Sequence, residues 1–242
     1  MTDYRENFYK VYQKSLGQCD LLDLKYFESR NVQFDKKWEK WLPVNKESAF
    51  LDIGCGSGDF VYYLSVRNYT NIAGVDLDGK NIKRGKDFGI ENLHLMSVKE
   101  FLMDKQQRYD CISAFNFFEH LKKDEILATL QMIYSALRPG GLLLAITPNG
   151  LSPFSGTTRY WDFSHETGFT PSSWRQLARI NDFKNFYFEE MGPEPKSIKG
   201  IIRFGFWQLL RIILVGISYV EVASPRDPSW VFTADMKIIL EK

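Results

Sequence analysis

Cysteine is scarce in this sequence. There are three in 242 residues, Cys19, Cys55 and Cys111, widely separated and never in a C-x-x-C pair. Their number and spacing argue against a disulfide framework and a cysteine zinc site, and fit a reducing cytoplasm. An excess of charge is also missing, since 31 basic side chains nearly cancel 30 acidic ones. With no Lys/Arg run to drive counterion release from a phosphate backbone, nucleic acid is not an expected partner. The N-terminus, MTDYRENFYKVYQK, lacks the apolar core of a signal peptide. Long uncharged runs are few as well. The most apolar stretch, Ile201 to Val222, is interrupted by Arg203 and Arg211, and its longest uncharged run is nine residues. A bilayer crossing needs about 20, so no transmembrane span is expected. On a helical wheel Arg203, Gln208, Arg211 and Ser218 share one side and leave a broad apolar face. The leading expectation is that this face is buried against the domain or against a partner in a homodimer. Contact with a membrane surface is the alternative.

What is present is enough apolar material, 44% of residues, to build the core of one elaborated domain. From about residue 49 to 147, short apolar runs alternate with helix-length amphipathic stretches, the pattern of βαβ units and a parallel sheet. Strands are expected at Ala49 to Ile53, Asn71 to Val75, Asn92 to Met96, Tyr109 to Phe117 and Gly141 to Thr147. Helices are expected at Asp59 to Arg67, Lys80 to Phe88, after Ser97, and at Lys123 to Leu137. Pro139-Gly140-Gly141 is read as the stop of the last helix. Further on, a helix from Ser172 to Ile180, a strand from Asn185 to Glu189, the apolar segment and a final strand within SWVFTADMKIILEK complete the chain. The last two strands are expected to pair antiparallel. The fold class is therefore α/β, a Rossmann-like seven-stranded sheet with helices on both faces and an insertion between its last two strands. Residues 1–45 read as an aromatic-rich helical extension or lid, with Trp38 and Trp41 on one helix face. Residues 46–150 read as the core, and 151–242 as a region that completes the sheet and recognises substrate.

The strongest local signal is LDIGCGSGD, Leu51 to Asp59, between a strand and a helix. Gly54, Gly56 and Gly58 permit a tight turn and close approach of a ligand. The spacing is G-x-G-x-G and not the G-x-G-x-x-G that seats a dinucleotide pyrophosphate. Asp52 stands inside the strand, where a carboxylate suits a cofactor carrying an ammonium and a sulfonium and repels phosphates. Asp76 closes the second strand in GVDLD, placed to accept hydrogen bonds from both hydroxyls of an unphosphorylated ribose. Together these features point to S-adenosyl-L-methionine. A nicotinamide-dependent oxidoreductase and a non-catalytic partner subunit are the rivals from other classes.

With YDCISAFNFFEHL (Tyr109 to Leu121) and LRPGGLLLAITPN (Leu137 to Asn149), the chain resembles the class I S-adenosylmethionine-dependent methyltransferases. RYWDFSHETGFTPSSW (Arg159 to Trp174) resembles a subgroup associated with bacterial surface-polysaccharide and sugar modification. The resemblance implies that Gly54, Gly56 and Asp52 line the methionine part, with Cys55 and Gly58 also in the cofactor site, that Asp76 holds the ribose and that Leu77 flanks the adenine. Ser97 and Val98 take the place where relatives carry an adenine-binding Asp, and Asn116 meets the amino-acid end.

Among acceptor-side residues, His165 is the candidate base, in a loop beyond the fifth strand that faces the cofactor crevice. Asp162, Glu119 and His120 are the other catalytic candidates, each with a structural role as the competing reading. Arg159 and Glu166 are candidates for gripping acceptor, and Tyr160, Trp161, Phe163 and Phe169 either pack the loop or form a stacking wall. Asp162, His165 and Glu166 are spaced like metal ligands only loosely, and no metal is expected. His94 reads as structural. The expected reaction is O-methylation of a small hydroxylated acceptor, a sugar, nucleotide sugar or polysaccharide precursor, with a lipid or quinone-type acceptor as the alternative.

Overall fold

A computed structural model describes residues 23–222 and 227–242; Cys19 and the rest of the N-terminal aromatic stretch lie outside them. Seven strands form one sheet: β1 (Phe50–Ile53), β2 (Ile72–Asp76), β3 (Leu93–Leu95), β4 (Tyr109–Phe115), β5 (Leu137–Pro148), β6 (Asn185–Glu190) and β7 (Asp235–Glu241). The helices are α1 (Leu24–Trp38), α2 (Asp59–Ser65), α3 (Gly79–Phe88), α4 (Val98–Leu102), α5 (Lys123–Ala136), α6 (Ser155–Arg159), α7 (Pro171–Ile180) and α8 (Ile198–Val222). The strand order is β3-β2-β1-β4-β5-β7-β6. β1 to β5 run parallel, and β7 lies antiparallel between β5 and β6.

All four residues of β1 are buried, as a central strand covered on both faces must be. One face carries α4, α5 and α7, which contribute Phe101, Leu130 and Trp174 to a core over Ile53 and Ile112. The other carries α1 to α3, with Phe34, Phe60 and Ile82 packed beneath Phe50 and Leu144. The order of strands reverses between β1 and β4, which opens a crevice at their carboxyl ends.

Three local expectations are corrected. α5 stops at Ala136, so Pro139-Gly140-Gly141 lies inside the span of β5, beside a shift of register opposite Tyr109 and Cys111. Trp38 and Trp41 do not share a helix face, because α1 ends at Trp38 and a 3₁₀ turn follows over Glu39–Trp41. Trp38 stacks on Phe115 at 4.9 Å, while Trp41 meets Tyr187 on β6. The third correction is the largest: the apolar side of α8 is not buried against the domain. Its most apolar window has none of its residues buried, and by length and composition the helix could cross a membrane.

Candidate active site

The glycine loop bridges β1 and α2, with Gly54, Gly56 and Gly58 all in the left-handed region. Any side chain there would be strained. At Gly54 a Cβ would also come within 2.9 Å of the Phe117 ring, and at Gly56 it would point into open space, where a ligand has room to lie against the backbone. The loop is braced from below. Cys55 is buried, and its sulfur lies where a Cβ on Gly74 would come within 2.9 Å; burial raises its thiol pKa, and its role is packing. From behind, Gly85 on α3 passes so close that a Cβ would overlap the Ser57 carbonyl.

Two carboxylates flank the loop. Asp76 Oδ2 accepts from the Gly56 amide at 2.8 Å and Oδ1 from the Asp78 amide at 2.7 Å. Burial pushes its pKa upward against those two bonds. Asp52 is almost fully buried and accepts from the Ser113 hydroxyl at 2.6 Å across the β1–β4 register. Burial raises its carboxyl to about 7. A cation brought beside it would restore the ionised form, which is the service an ammonium group provides. Leu77 is exposed just beyond Asp76. Ser97 caps α4, its hydroxyl accepting from the Glu100 amide at 3.2 Å and donating to the Glu100 carboxylate at 2.6 Å, and Val98 opens that helix. Ser97 is thus engaged in a capping box, and one lone pair of its hydroxyl remains able to accept. Asn116 leaves β4 with a φ of 51°, a conformation that asparagine tolerates, and its amide bonds the Ile146 carbonyl. Loop and carboxylates fit a nucleoside carrying a cationic amino-acid tail: room over Gly56, a carboxylate for the ammonium and another at the ribose position, with no Lys or Arg among Gly54–Asp59 to hold a phosphate.

Next to this cradle, the 3₁₀ turn Phe118–His120 is held by Phe117, which packs against Gly54. The loop after β5 folds back over the turn, with the Glu166 and Thr167 amides both donating to the Glu119 carbonyl. That crossing brings together two histidines 45 positions apart in sequence, with ring centroids 5.0 Å apart. Ser164 donates to Asp162 at 2.7 Å, so at His120 it acts as acceptor from Nδ1, 2.8 Å away. His120 Nε2 is left with the lone pair. Burial, with His165 alongside, lowers the His120 pKa to about 4. His165 Nδ1 faces the Arg159 carbonyl at 3.2 Å, which can only accept, so its Nε2 also keeps a lone pair. Glu119 is fully buried, its carboxyl pushed to about 8 by burial, and its Oε2 has no hydrogen-bond partner.

The geometry revises several sequence expectations. Asp162 bonds Ser164, and the contact to His165 runs through its backbone carbonyl. Arg159 donates to the His165 and Glu166 carbonyls, at 2.5 and 2.9 Å, and so fastens the loop. The residues whose ligand atoms converge within 4.8 Å of one another are Glu119, His120 and His165, not Asp162, His165 and Glu166. Two imidazoles and a carboxylate can hold a transition metal, at a different set of residues from the loosely spaced Asp162, His165 and Glu166. The aromatics divide: Phe169 is buried and stacks on Trp174, whereas Tyr160, Trp161 and Phe163 are more than 70% exposed. His94 lies on the edge strand β3, exposed, near Phe101. Sequence reasoning overlooked Ser113, Phe117, Gly85 and Ser164. Of these, Ser113 carried a signal, a lone hydroxyl within an apolar strand that pairs with the Asp52 strand. Asn149 was overlooked too; its side-chain amide donates to the Val231 and Thr233 carbonyls and pins the loop to the segment entering β7.

Comparison with known proteins gives this geometry a family. No curated protein matches the chain in sequence. A structure of an S-adenosylmethionine-dependent methyltransferase from Archaeoglobus fulgidus superposes with a TM-score of 0.67 at 20% identity, covering 97% of this chain and all of that one. The plantazolicin methyltransferase BpumL, solved with S-adenosylhomocysteine, gives 0.55 at 16% identity over 100% and 91% of the two chains. A phosphoethanolamine N-methyltransferase from Haemonchus contortus, also with S-adenosylhomocysteine, gives 0.61 at 14% identity, over 99% of this chain and 58% of that one. These likenesses establish the fold. The methyltransferase-domain family model matches residues 26–187, which span the glycine loop, Asp76, the Glu119–His120 turn and the His165 loop. The chain belongs to that family and is a class I methyltransferase that uses S-adenosyl-L-methionine.

Proposed function

We propose that the enzyme methylates an oxygen of a small hydroxylated acceptor, with a sugar, nucleotide sugar or polysaccharide precursor as the favoured class. The observation that carries this reading is the convergence of Glu119, His120 and His165 within 4.8 Å, with His165 Nδ1 facing a carbonyl so that Nε2 can accept a proton, on a loop that also carries the exposed rings of Tyr160, Trp161 and Phe163. S-adenosylmethionine supplies an electrophilic methyl group on a sulfonium, and transfer to a hydroxyl requires that the acceptor proton leave as the new C–O bond forms. His165 Nε2 takes that proton. His120 and the protonated Glu119 carboxyl, whose polar atoms lie within 4.8 Å of His165, stay neutral beside it, and the proton passes from His165 to solvent. Asp52 and Asp76 hold the cofactor ends, and Tyr160 and Trp161 offer flat faces of the kind on which sugar rings stack.

Incubation with S-adenosylmethionine and a panel of nucleotide sugars should release S-adenosylhomocysteine with a hydroxyl-bearing acceptor. If only amines or thiols serve, the oxygen assignment is wrong. A lipid or quinone-type acceptor is the second reading, favoured by the exposed apolar side of α8. Activity that appears only in detergent or liposomes would select it.

A further inference from the structure

α8 is oriented inside out. At 100° per residue, Trp207, Arg211, Leu214 and Ser218 lie within one sector, and this is the sector that docks on the domain. Trp207 Nε1 donates to the Glu190 carboxylate at 2.9 Å, Arg211 stands 3.5 Å from the same carboxylate, and Ser218 is buried. The opposite side is apolar and exposed, with Ile202, Leu209, Ile213 and Val220 at its centre and Ile201 and Leu210 at its margins. That arc is about 180° wide. A helix whose polar groups face its own domain while its Ile and Leu side chains face outward is folded for an apolar surrounding.

The arc and the charges identify the surrounding. A helix stripe buried against one partner is about 100° wide, and a coiled-coil seam is narrower, so a second copy seated on α8 would leave much of this arc wet. A lipid surface covers it all. Residues 196–222 hold four basic side chains, Lys196, Lys199, Arg203 and Arg211, against the single acid Glu221. Three of the four cluster at the N-terminal end, where Lys199 and Arg203 are exposed and Lys196 meets Glu194 at 3.3 Å. This placement suits anionic headgroups. A crossing orientation would strip Trp207 and Arg211 from Glu190 and carry Arg203 and Arg211 into hydrocarbon, where a charged side chain is strongly disfavoured. We propose that α8 lies in the plane of an anionic lipid leaflet, its outer half sunk to the acyl boundary, and holds the catalytic domain on the membrane surface.

The test uses the full chain and co-sedimentation with vesicles of phosphatidylcholine, with and without phosphatidylglycerol. The wild-type protein should bind the anionic vesicles, and high salt should weaken binding. The double variant Ile202→Glu/Ile213→Glu changes exposed positions only, and should lose roughly tenfold or more in partitioning while keeping its circular dichroism and its calorimetric affinity for S-adenosylhomocysteine. Failure of the wild type to bind any vesicle overturns the proposal. So does a wild-type dimer, seen by sedimentation velocity, that the double variant dissociates, because the occupant is then a second copy. Association that survives alkaline carbonate overturns the in-plane orientation. All these readouts are independent of which acceptor the enzyme methylates.

Discussion

The two sides of the crevice are built differently. On the cofactor side, between β1 and β2, the polar side chains are already engaged within the protein: Asp76 by two amides, Ser97 by its own helix, Asp52 by the Ser113 hydroxyl of the neighbouring strand. On the acceptor side, lone pairs and rings are left over. His165 keeps the Nε2 lone pair, Glu119 Oε2 has no hydrogen bond, and Trp161 is 75% exposed. The contrast teaches where specificity resides. A cradle whose groups are engaged within the fold is fixed in shape, whereas exposed side chains of the acceptor loop can be replaced without disturbing it.

Substitutions can sharpen or break that division. The largest expected effect is on chemistry: His165→Ala should lower turnover by about 10²- to 10⁴-fold and leave S-adenosylhomocysteine affinity within a factor of two or so in calorimetry. A comparable loss of cofactor affinity would mean that the two sides are not separable. Asp76→Ala should do the converse, weakening cofactor binding by roughly 10- to 100-fold, the range for losing charge-assisted hydrogen bonds to two hydroxyls and a loop amide. Trp161→Ala should raise the acceptor KM by up to about tenfold with the cofactor KM unchanged, read from initial rates against each substrate. An effect on the cofactor alone would remove the ring from the acceptor wall.

The smallest effect is on stability. The Glu119 carboxyl rises from an ordinary 4.5 to about 8 on folding. Its contribution is therefore complete at acid pH and fades as pH climbs toward and through 8. Glu119→Gln cannot ionise, so its melting temperature relative to wild type should rise by a few degrees between pH 6 and pH 9. A constant offset across that range would show that Glu119 titrates normally.

The same division governs what could be read from sequence. The glycine loop, Asp52 and Asp76 lie within 26 residues, at strand ends that periodicity locates, so their convergence follows from the parallel sheet alone. Glu119 and His120 meet His165 only because a loop returns over a 3₁₀ turn through amide-to-carbonyl bonds, which no side-chain pattern encodes. For α8 the wheel separated polar from apolar sides correctly. It could not say which side faces the domain, because that depends on Glu190, a carboxylate at the far end of another strand. Hydrophobic periodicity carries the phase of a helix but not the chemistry of what it leans on.

The close passage of α3 at Gly85 has a thermodynamic corollary. With the Ser57 carbonyl pressed against a backbone that has no side chain to yield, the nucleoside cradle is set before its guest arrives. Little conformational entropy remains to be lost on association, so affinity there should be governed by desolvation and charge.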